Sequence, residues 1–458
     1  MQHEDHDDFK LPKITSLVIV EAASALLQIS FFIIVSSSNQ YSQHLGGTAT
    51  FSGLVIGIPT VFSGLVLIPL TRLDKGGYTR PLHFACASAL LGNILYGLAY
   101  YTNFLYLILI GRIVSGFAFT FWMYAKRYCS DPRIVGVRRR TLLAGWLVLG
   151  QGGGMTIGPF FGGLLYKIGF SNRIFNGYTS PTWILAGIWA IFWAICAVFF
   201  EDVPQVVAQP AIELQPIPNG QPDHKPAEPK GDLIPEPTDL TIQEISSQPS
   251  HSAAQHVHMS AHQWGVTITM CWFAMTCFFI LGAWEANIPV FTGSNSHLNT
   301  FHFSPDAAGN LIALGGICTV PFLVVNVFVA RRVQDRQTLA SGSSLGLLGL
   351  LIAIAIMRAD RVNYGSYFIC WFLIALGFNL ASTCTLSLLS KQLPGEWNAR
   401  ISMAIQYSNY TGRVTGAVWG GAGVKVGMLN FVGMQIALVG IGAVMFMTLW
   451  RQLKAKTG

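Results

Sequence analysis

Four ionisable side chains, Glu21, Arg112, Glu285 and Arg413, stand inside long apolar runs. A charge exposed to lipid there costs several kcal/mol, so each is a functional candidate by default. A carboxylate in a partly dry cavity can take and release a proton near neutral pH, which is what proton coupling requires. Glu21 and Glu285 are therefore the candidate proton carriers. Glu21 lies about eight residues, roughly 12 Å by helix rise, into its run and can reach water; an interfacial or Arg-paired structural residue is the alternative. Glu285, beside Trp284 and Asn287, lies toward the outer end of its run, and a hydrated vestibule is the alternative there. Arg112 lies about midway through its run and must be paired or face water. Arg413 either binds an anion or seals the interior by pairing. Asn93, Gln151, Asn379, Gln406 and Asn409 join Arg413 as candidate ligands in a substrate cavity.

Other chemistries leave no trace. There is no Gly-rich loop ending in Lys-Ser/Thr to cradle phosphates, so nucleotide hydrolysis is not the expected source of energy. His256, His258 and His262 lie in a polar segment and read as solvated residues rather than metal ligands. No catalytic residue, metal or cofactor is expected, and the chain does not read as an enzyme.

The elements that must position these groups are helices sized for a bilayer. Of 458 residues, 52% are hydrophobic and 11% charged, with mean hydropathy +0.48, whereas a soluble domain carries about a quarter charged residues. Apolar runs fall at 14–38, 50–71, 81–101, 104–125, 141–166, 182–200, 264–291, 306–330, 338–357, 364–390, 401–424 and 427–450. Each matches the roughly 20 residues that cross a bilayer. The expected fold is an all-α membrane protein of twelve spans.

The net charge of +7 is a topology signal rather than a nucleic-acid one. Of 28 Lys/Arg, 21 fall in the tails and loops on one side; five (Lys167, Arg173, Arg358, Arg361, Lys425) fall on the other, and Arg112 and Arg413 lie within spans. The positive-inside rule then places both termini in the cytosol. Met1–Asp8 is acidic and polar with no basic n-region, so no cleaved signal peptide is expected. Seven of the eight cysteines lie in spans and Cys129 in a cytosolic loop, so no disulfide framework is expected.

Organisation follows from a break in the pattern. Residues 201–262, rich in Pro, Glu, Gln, Ser and His, read as a disordered cytosolic linker. It separates a six-helix bundle at 14–200 from another at 263–450, with tails at 1–13 and 451–458. Span 5 carries Gly154, Gly158, Gly162 and Gly163; span 11 carries Gly412, Gly416, Gly420 and Gly421, at a constant offset of 258. One such pattern is ordinary close helix packing, but its recurrence in the equivalent span indicates a duplicated unit.

Span 5 as a whole, with Gly145, Gly154, Gly158, Pro159, Gly162 and Gly163, resembles the antiporter signature of the major facilitator superfamily. The resemblance implies two six-helix bundles around a central cavity lined by spans 1, 4, 7 and 10. It also implies that span 5 packs against span 8, which offers Gly309, Gly315 and Gly316. Gly158 and Gly162 are then expected to form the seam between the halves; a generic close-packing helix is the alternative. Gly111-Arg112-Ile-Val-Ser115-Gly116 is similar to the family's fourth-span motif, whose Arg faces the cavity and couples to proton movement, against a structural ion pair. Residues 72–80 look like the family's gating loop in Asp74, Lys75 and Gly77, with Arg80 closing it. The loop departs from the family in having Leu70 for a glycine, and Tyr78 and Thr79 for paired basic residues. Arg331, Arg332, Asp335 and Arg336 occupy the equivalent place in the second half with charge similarity alone. Phe175-Asn176-Gly-Tyr-Thr179-Ser-Pro181-Thr-Trp183 resembles a segment of vacuolar SPX-type phosphate carriers and of lysosomal major facilitator proteins. These specific resemblances cover residues 64–183.

The leading expectation is a proton-coupled antiporter that exports a small organic molecule. The alternatives are an organellar anion or phosphate carrier, and a membrane receptor or scaffold that transports nothing. Expected partners are a small-molecule substrate, protons and the lipid bilayer, with no nucleic acid. A monomer is expected, and the plasma membrane is favoured over the vacuolar or lysosomal membrane.

Overall fold

The structure, a computed structural model, describes residues 10–74, 76–131, 133–203, 259–329, 333–393 and 397–454. Lys75, Arg331, Arg332, His256, His258 and most of the 201–262 linker lie outside the described residues.

Backbone polar groups in hydrocarbon must be satisfied within their own segment, which selects helices. Span 1 is Ile14–Phe32, followed by a short helix Ser38–His44; span 2 is Ala49–Arg72 and span 3 Thr79–Thr102. Span 4 is Leu105–Ala118 continued by Phe121–Tyr128, span 5 Val137–Ile168 and span 6 Ser180–Phe199. The second half comprises span 7 Ala261–Thr292, span 8 Pro305–Val329, span 9 Asp335–Arg358, span 10 Tyr364–Gln392, span 11 Asn398–Val426 and span 12 Met428–Leu449. Ten of these are long and apolar enough to cross a membrane among the described residues. The two that fall short are spans 5 and 11, whose glycines and polar residues dilute their hydropathy. They are the pair that carries the internal repeat.

Most helix ends fall a few residues from the ends of the apolar runs, and two of the differences bear on the reading. Span 1 was expected to run unbroken over 14–38, but its helix ends at Phe32 and the chain turns through 33–37. Span 7 begins at Ala261, two residues inside the expected linker.

Packing repeats between the halves. Span 1 lies on span 5 as span 7 lies on span 11, span 3 pairs with span 4 as span 9 pairs with span 10, and the halves meet where span 2 packs on span 11 and span 5 on span 8.

The span 5 glycines divide between two of these seams, which corrects the expectation that Gly158 and Gly162 form the boundary between halves. A Cβ built on Gly154 would lie 2.7 Å from the Gln28 Cβ, and one on Gly158 2.7 Å from the Phe32 Cβ. One on Gly162 would overlap the Ile33 carbonyl oxygen. All three therefore face span 1 within the first half. The residue after Gly162 lies about 100° further round the helix, and it is Gly163 that meets span 8, 2.7 Å from the Asp306 Cα. Gly309 abuts the Pro159 carbonyl and Gly316 approaches the Thr156 hydroxyl, so both do face span 5. Gly315 instead accommodates the Trp371 indole of span 10. The second half repeats the division: Gly412, Gly416 and Gly420 press on the carbonyls of Met275, Phe279 and Ala283 in span 7, while Gly421 meets Ala49 in span 2. Gly145, the first glycine of the signature, has nothing within 4 Å of a built Cβ.

This arrangement separates two phenotypes. Gly162→Leu drives a side chain into the span 1 backbone and is expected to reduce monodisperse purified protein several-fold, whereas Gly145→Leu purifies like wild type. Size-exclusion profiles and thermal melts check both; equal yields would sink the assignment of Gly162 to the span 1 contact.

Candidate functional site

A cavity of about 170 Å³ lies between the halves. Span 1 supplies Gln28, Phe31 and Phe32, span 2 Thr60, span 4 Trp122 and Lys126, and span 5 Gln151 and Met155. From the second half come Phe278, Leu281 and Glu285 of span 7, Asn379 of span 10, and Gln406, Asn409, Tyr410 and Arg413 of span 11. The walls thus combine aromatic faces, carboxamides and two cations with a single carboxylate.

Glu285 and Arg413 form an ion pair, Oε2 to Nη2 2.5 Å. Glu285 is wholly buried and Arg413 is 8% exposed. Glu285 does not sit in a hydrated vestibule, because span 7 packs along span 11 over the face that bears it. Its second oxygen, Oε1, has no hydrogen-bond partner among the described residues. The Arg413 guanidinium also lies over the rings of Phe31 and Phe32, 5.0 and 5.1 Å from their centroids.

Arg112 neither lines this cavity nor pairs with a carboxylate among the described residues. Its Nε donates to the Val55 carbonyl at 3.2 Å, Nη1 to that of Ser30 at 3.2 Å and Nη2 to that of Phe31 at 3.4 Å. Ser30 and Phe31 belong to the last turn of the span 1 helix, where carbonyls lose their helical partners and the helix dipole presents negative charge. The guanidinium therefore caps a broken helix, and its carbon lies 5.4 Å from the centroid of the Phe31 ring.

The remaining candidates scatter. Glu21 stands outside the cavity lining, half-buried, with Oε1 3.8 Å from the Cys129 Sγ. Asn93 is also outside it; its amide donates to Ala89 in its own helix at 2.8 Å. Gln151 lines the cavity and donates to the Ser24 hydroxyl at 3.2 Å, and Asn379 donates to the Ala375 carbonyl at 2.7 Å. The Asn409 Oδ1 has no hydrogen-bond partner among the described residues. Gln28, Thr60, Tyr410 and Lys126 line the site without having been singled out. Lys126 stands one residue beyond the apolar run 104–125, so that pattern does not mark it as a site residue.

The loop at 72–80 is held within the first half. Asp74 pairs with Arg127 at the end of span 4 and accepts from the Gly76 N–H at 2.8 Å. Asp202 accepts from the N–H groups of Tyr78 and Thr79 at 2.9 and 3.1 Å, capping span 3 where Gly77 leaves room for its carboxylate. Arg80 is exposed. Tyr78, one of the two residues that replace the expected basic pair, donates from its hydroxyl to Asp131 at 2.7 Å, and Asp131 also binds Arg133. Burial opposes ionisation of Asp131, but hydrogen bonds from Arg133 and Tyr78 outweigh it and hold the carboxyl at about 2. Burial likewise opposes ionisation of Asp202, and the backbone N–H groups win there too. In the second half Asp335 pairs with Lys391 at the end of span 10 (2.7 Å), as Asp74 does with Arg127 at the end of span 4.

The segment before span 6 is a hydrogen-bonded turn that leads into the helix at Ser180. The Asn176 Oδ1 accepts from the N–H groups of Tyr178 and Thr179 at 3.0 and 3.2 Å, and the Thr179 hydroxyl and Trp183 indole both donate to the Ile174 carbonyl.

Two measurements follow. Because the folded Asp131 titrates near 2, below its unfolded value, its contribution is complete above the ordinary carboxylate range and disappears only as pH falls through about 2. Asp131→Asn is then expected to lower the melting temperature equally at pH 5 and pH 8; a difference between them would contradict the assignment. Arg112→Lys offers a point charge in place of a fork and strands at least one buried carbonyl, at about 1–3 kcal/mol each. A melt lowered by several degrees in Arg112→Lys supports the capping role, and an unchanged melt removes it.

Comparisons with known proteins agree with this architecture. The family model of the Major Facilitator Superfamily matches residues 21–417. An uncharacterized MFS-type transporter of Schizosaccharomyces pombe is 29% identical over 456 residues, covering 98% of this chain and 84% of that protein. An SPX domain-containing membrane protein of Oryza sativa subsp. indica is 25% identical over 76% of this chain and 51% of its own length. Among solved structures, a bacterial homolog of the human lysosomal transporter Spinster, inward-facing and unoccupied, superposes with TM-score 0.64 at 14% identity, over 96% of this chain and 97% of that one. A POT family transporter superposes with TM-score 0.67 at 10% identity, over 96% of each chain. The chain is an integral, multi-pass membrane protein and belongs to the major facilitator superfamily of transporters.

Proposed function

We propose that this transporter exchanges protons for a small organic solute, with Glu285 as the residue that carries the proton. One observation supports this above others: Glu285 is buried against Arg413 on the cavity wall, with one carboxylate oxygen unpartnered among the described residues. That oxygen is a strong acceptor for a donor of the solute as a carboxylate and a weak one once it carries a proton. Such competition at one atom favours exchange over co-transport. Protonation also leaves the Arg413 charge uncompensated in a dry site, which favours opening toward water. The aromatic and carboxamide walls suit an organic solute with an apolar face and a few polar groups. Glu21, facing Cys129 and outside the lining, is not assigned the role.

A second reading, an anion or phosphate carrier, draws on Arg413 and Lys126 in the same cavity and on the similarity to SPX domain-containing membrane proteins. The basic-residue asymmetry supports cytosolic termini and a cytosolic 201–262 linker.

Proteoliposomes with an imposed pH gradient separate the readings. Organic solutes of the right class are expected to elicit proton flux, and phosphate none. Glu285→Gln is expected to cut gradient-driven flux at least tenfold while Glu21→Gln keeps it. Phosphate-driven flux would favour the second reading, and full flux in Glu285→Gln would remove this residue from the mechanism.

A further inference from the structure

Away from the cavity, spans 7, 9 and 12 enclose an apolar groove of about 260 Å³. Its walls include Leu339, Ser343 and Leu347 of span 9 and Ala443, Phe446 and Trp450 at the end of span 12. Leu339, Ser343 and Leu347 recur every fourth residue, so they form one strip along the helix. Span 12 is the least buried candidate span, 28% within its window, so the groove lies at the bundle's periphery, where lipid is the neighbour.

Charge is confined to one end. The Arg336 guanidinium lies over the Trp450 ring, 4.7 Å from its centroid, and donates to the Trp450 carbonyl at 2.9 Å. It remains partly exposed, and Arg451 and Lys454 follow Trp450 on the exposed surface. The adjacent carboxylate, Asp335, is engaged by Lys391 and the Ser387 hydroxyl and does not neutralise this end. Two turns further in, the Ser343 hydroxyl is buried and has no hydrogen-bond partner among the described residues.

We propose that this groove holds one anionic glycerophospholipid. An acyl chain lies along the Leu339, Leu347 and Phe446 wall, and the phosphate rests at Arg336 beside Trp450. A glycerol ester carbonyl accepts from the Ser343 hydroxyl. A zwitterionic lipid meets the same wall and hydroxyl but carries no net charge for Arg336, Arg451 and Lys454. Of the three, Arg336 alone stands at the groove, over Trp450, and supplies the discrimination; one basic residue near the membrane surface favours an anionic lipid by a factor of about five.

Native mass spectrometry of the full-length protein tests this with phosphatidylserine, phosphatidylcholine and tail-less glycerophosphoserine. Wild type is expected to hold phosphatidylserine about fivefold more tightly than phosphatidylcholine and to bind glycerophosphoserine negligibly. Arg336→Ala is expected to abolish the preference, Arg336→Lys to keep part of it, and Ala443→Trp, which fills the groove, to reduce binding of both lipids. If Arg336→Ala does not fold, Arg336→Lys and Ala443→Trp decide the matter. Equal affinity for the two lipids, an undiminished preference in Arg336→Ala, or glycerophosphoserine binding as well as the intact lipid would each overturn the proposal.

Discussion

The carbonyls freed where the span 1 helix ends at Phe32 must find donors inside hydrocarbon, and Arg112 provides them from span 4. The same guanidinium reaches the Val55 carbonyl of span 2, so one side chain ties three helices at mid-membrane. The break also exposes Ile33 to span 5, and only a glycine at 162 lets that backbone approach. Phe31 then lies between two guanidinium groups, with Arg112 at 5.4 Å and Arg413 at 5.0 Å from its ring. A single helix terminus thus positions the scaffold of the first half and one wall of the site.

The halves are each assembled by one glycine row and joined to one another by a different face of the same helix. In span 5 the row at 154, 158 and 162 holds span 1, while Gly163 meets span 8; in span 11 the row at 412, 416 and 420 holds span 7, while Gly421 meets span 2. Cohesion within a half and contact between halves therefore rest on neighbouring residues with separate partners. That division is what two bodies need if they are to move against one another without unfolding.

Much of this was legible in the sequence, and the limits have physical causes. Bilayer-length runs and the 258-residue offset carry the bundle, because length and repetition survive without knowledge of contacts. The family signature identified span 5 correctly but not which face meets which neighbour, since glycines four apart mark a face and not its partner. Glu285 and Arg413 were singled out as isolated charges, and their pairing was not visible because residues 128 positions apart give no local signal. Arg112 is expected in the cavity on its resemblance to the family's fourth-span motif, and nothing in the apolar run 14–38 announces that a helix stops at Phe32 and offers it carbonyls instead. The turn that Asn176 closes ahead of span 6 is local, a side chain bonded to backbone two and three residues on, so Asn176 followed by Thr179 and Pro181 carries that signal within the motif itself.

Under the proposed role of Glu285, its seclusion also bears on how tightly such a carrier would hold a driving gradient. A carboxylate enclosed by span 11 and a guanidinium meets water only when the halves part, so its proton exchange is no faster than their rocking. On the proposed proton coupling, an empty, closed carrier of this kind would pass no protons by slippage. Membrane energisation would then be spent only on completed cycles, and the idle protein would be silent to the ion gradient across it.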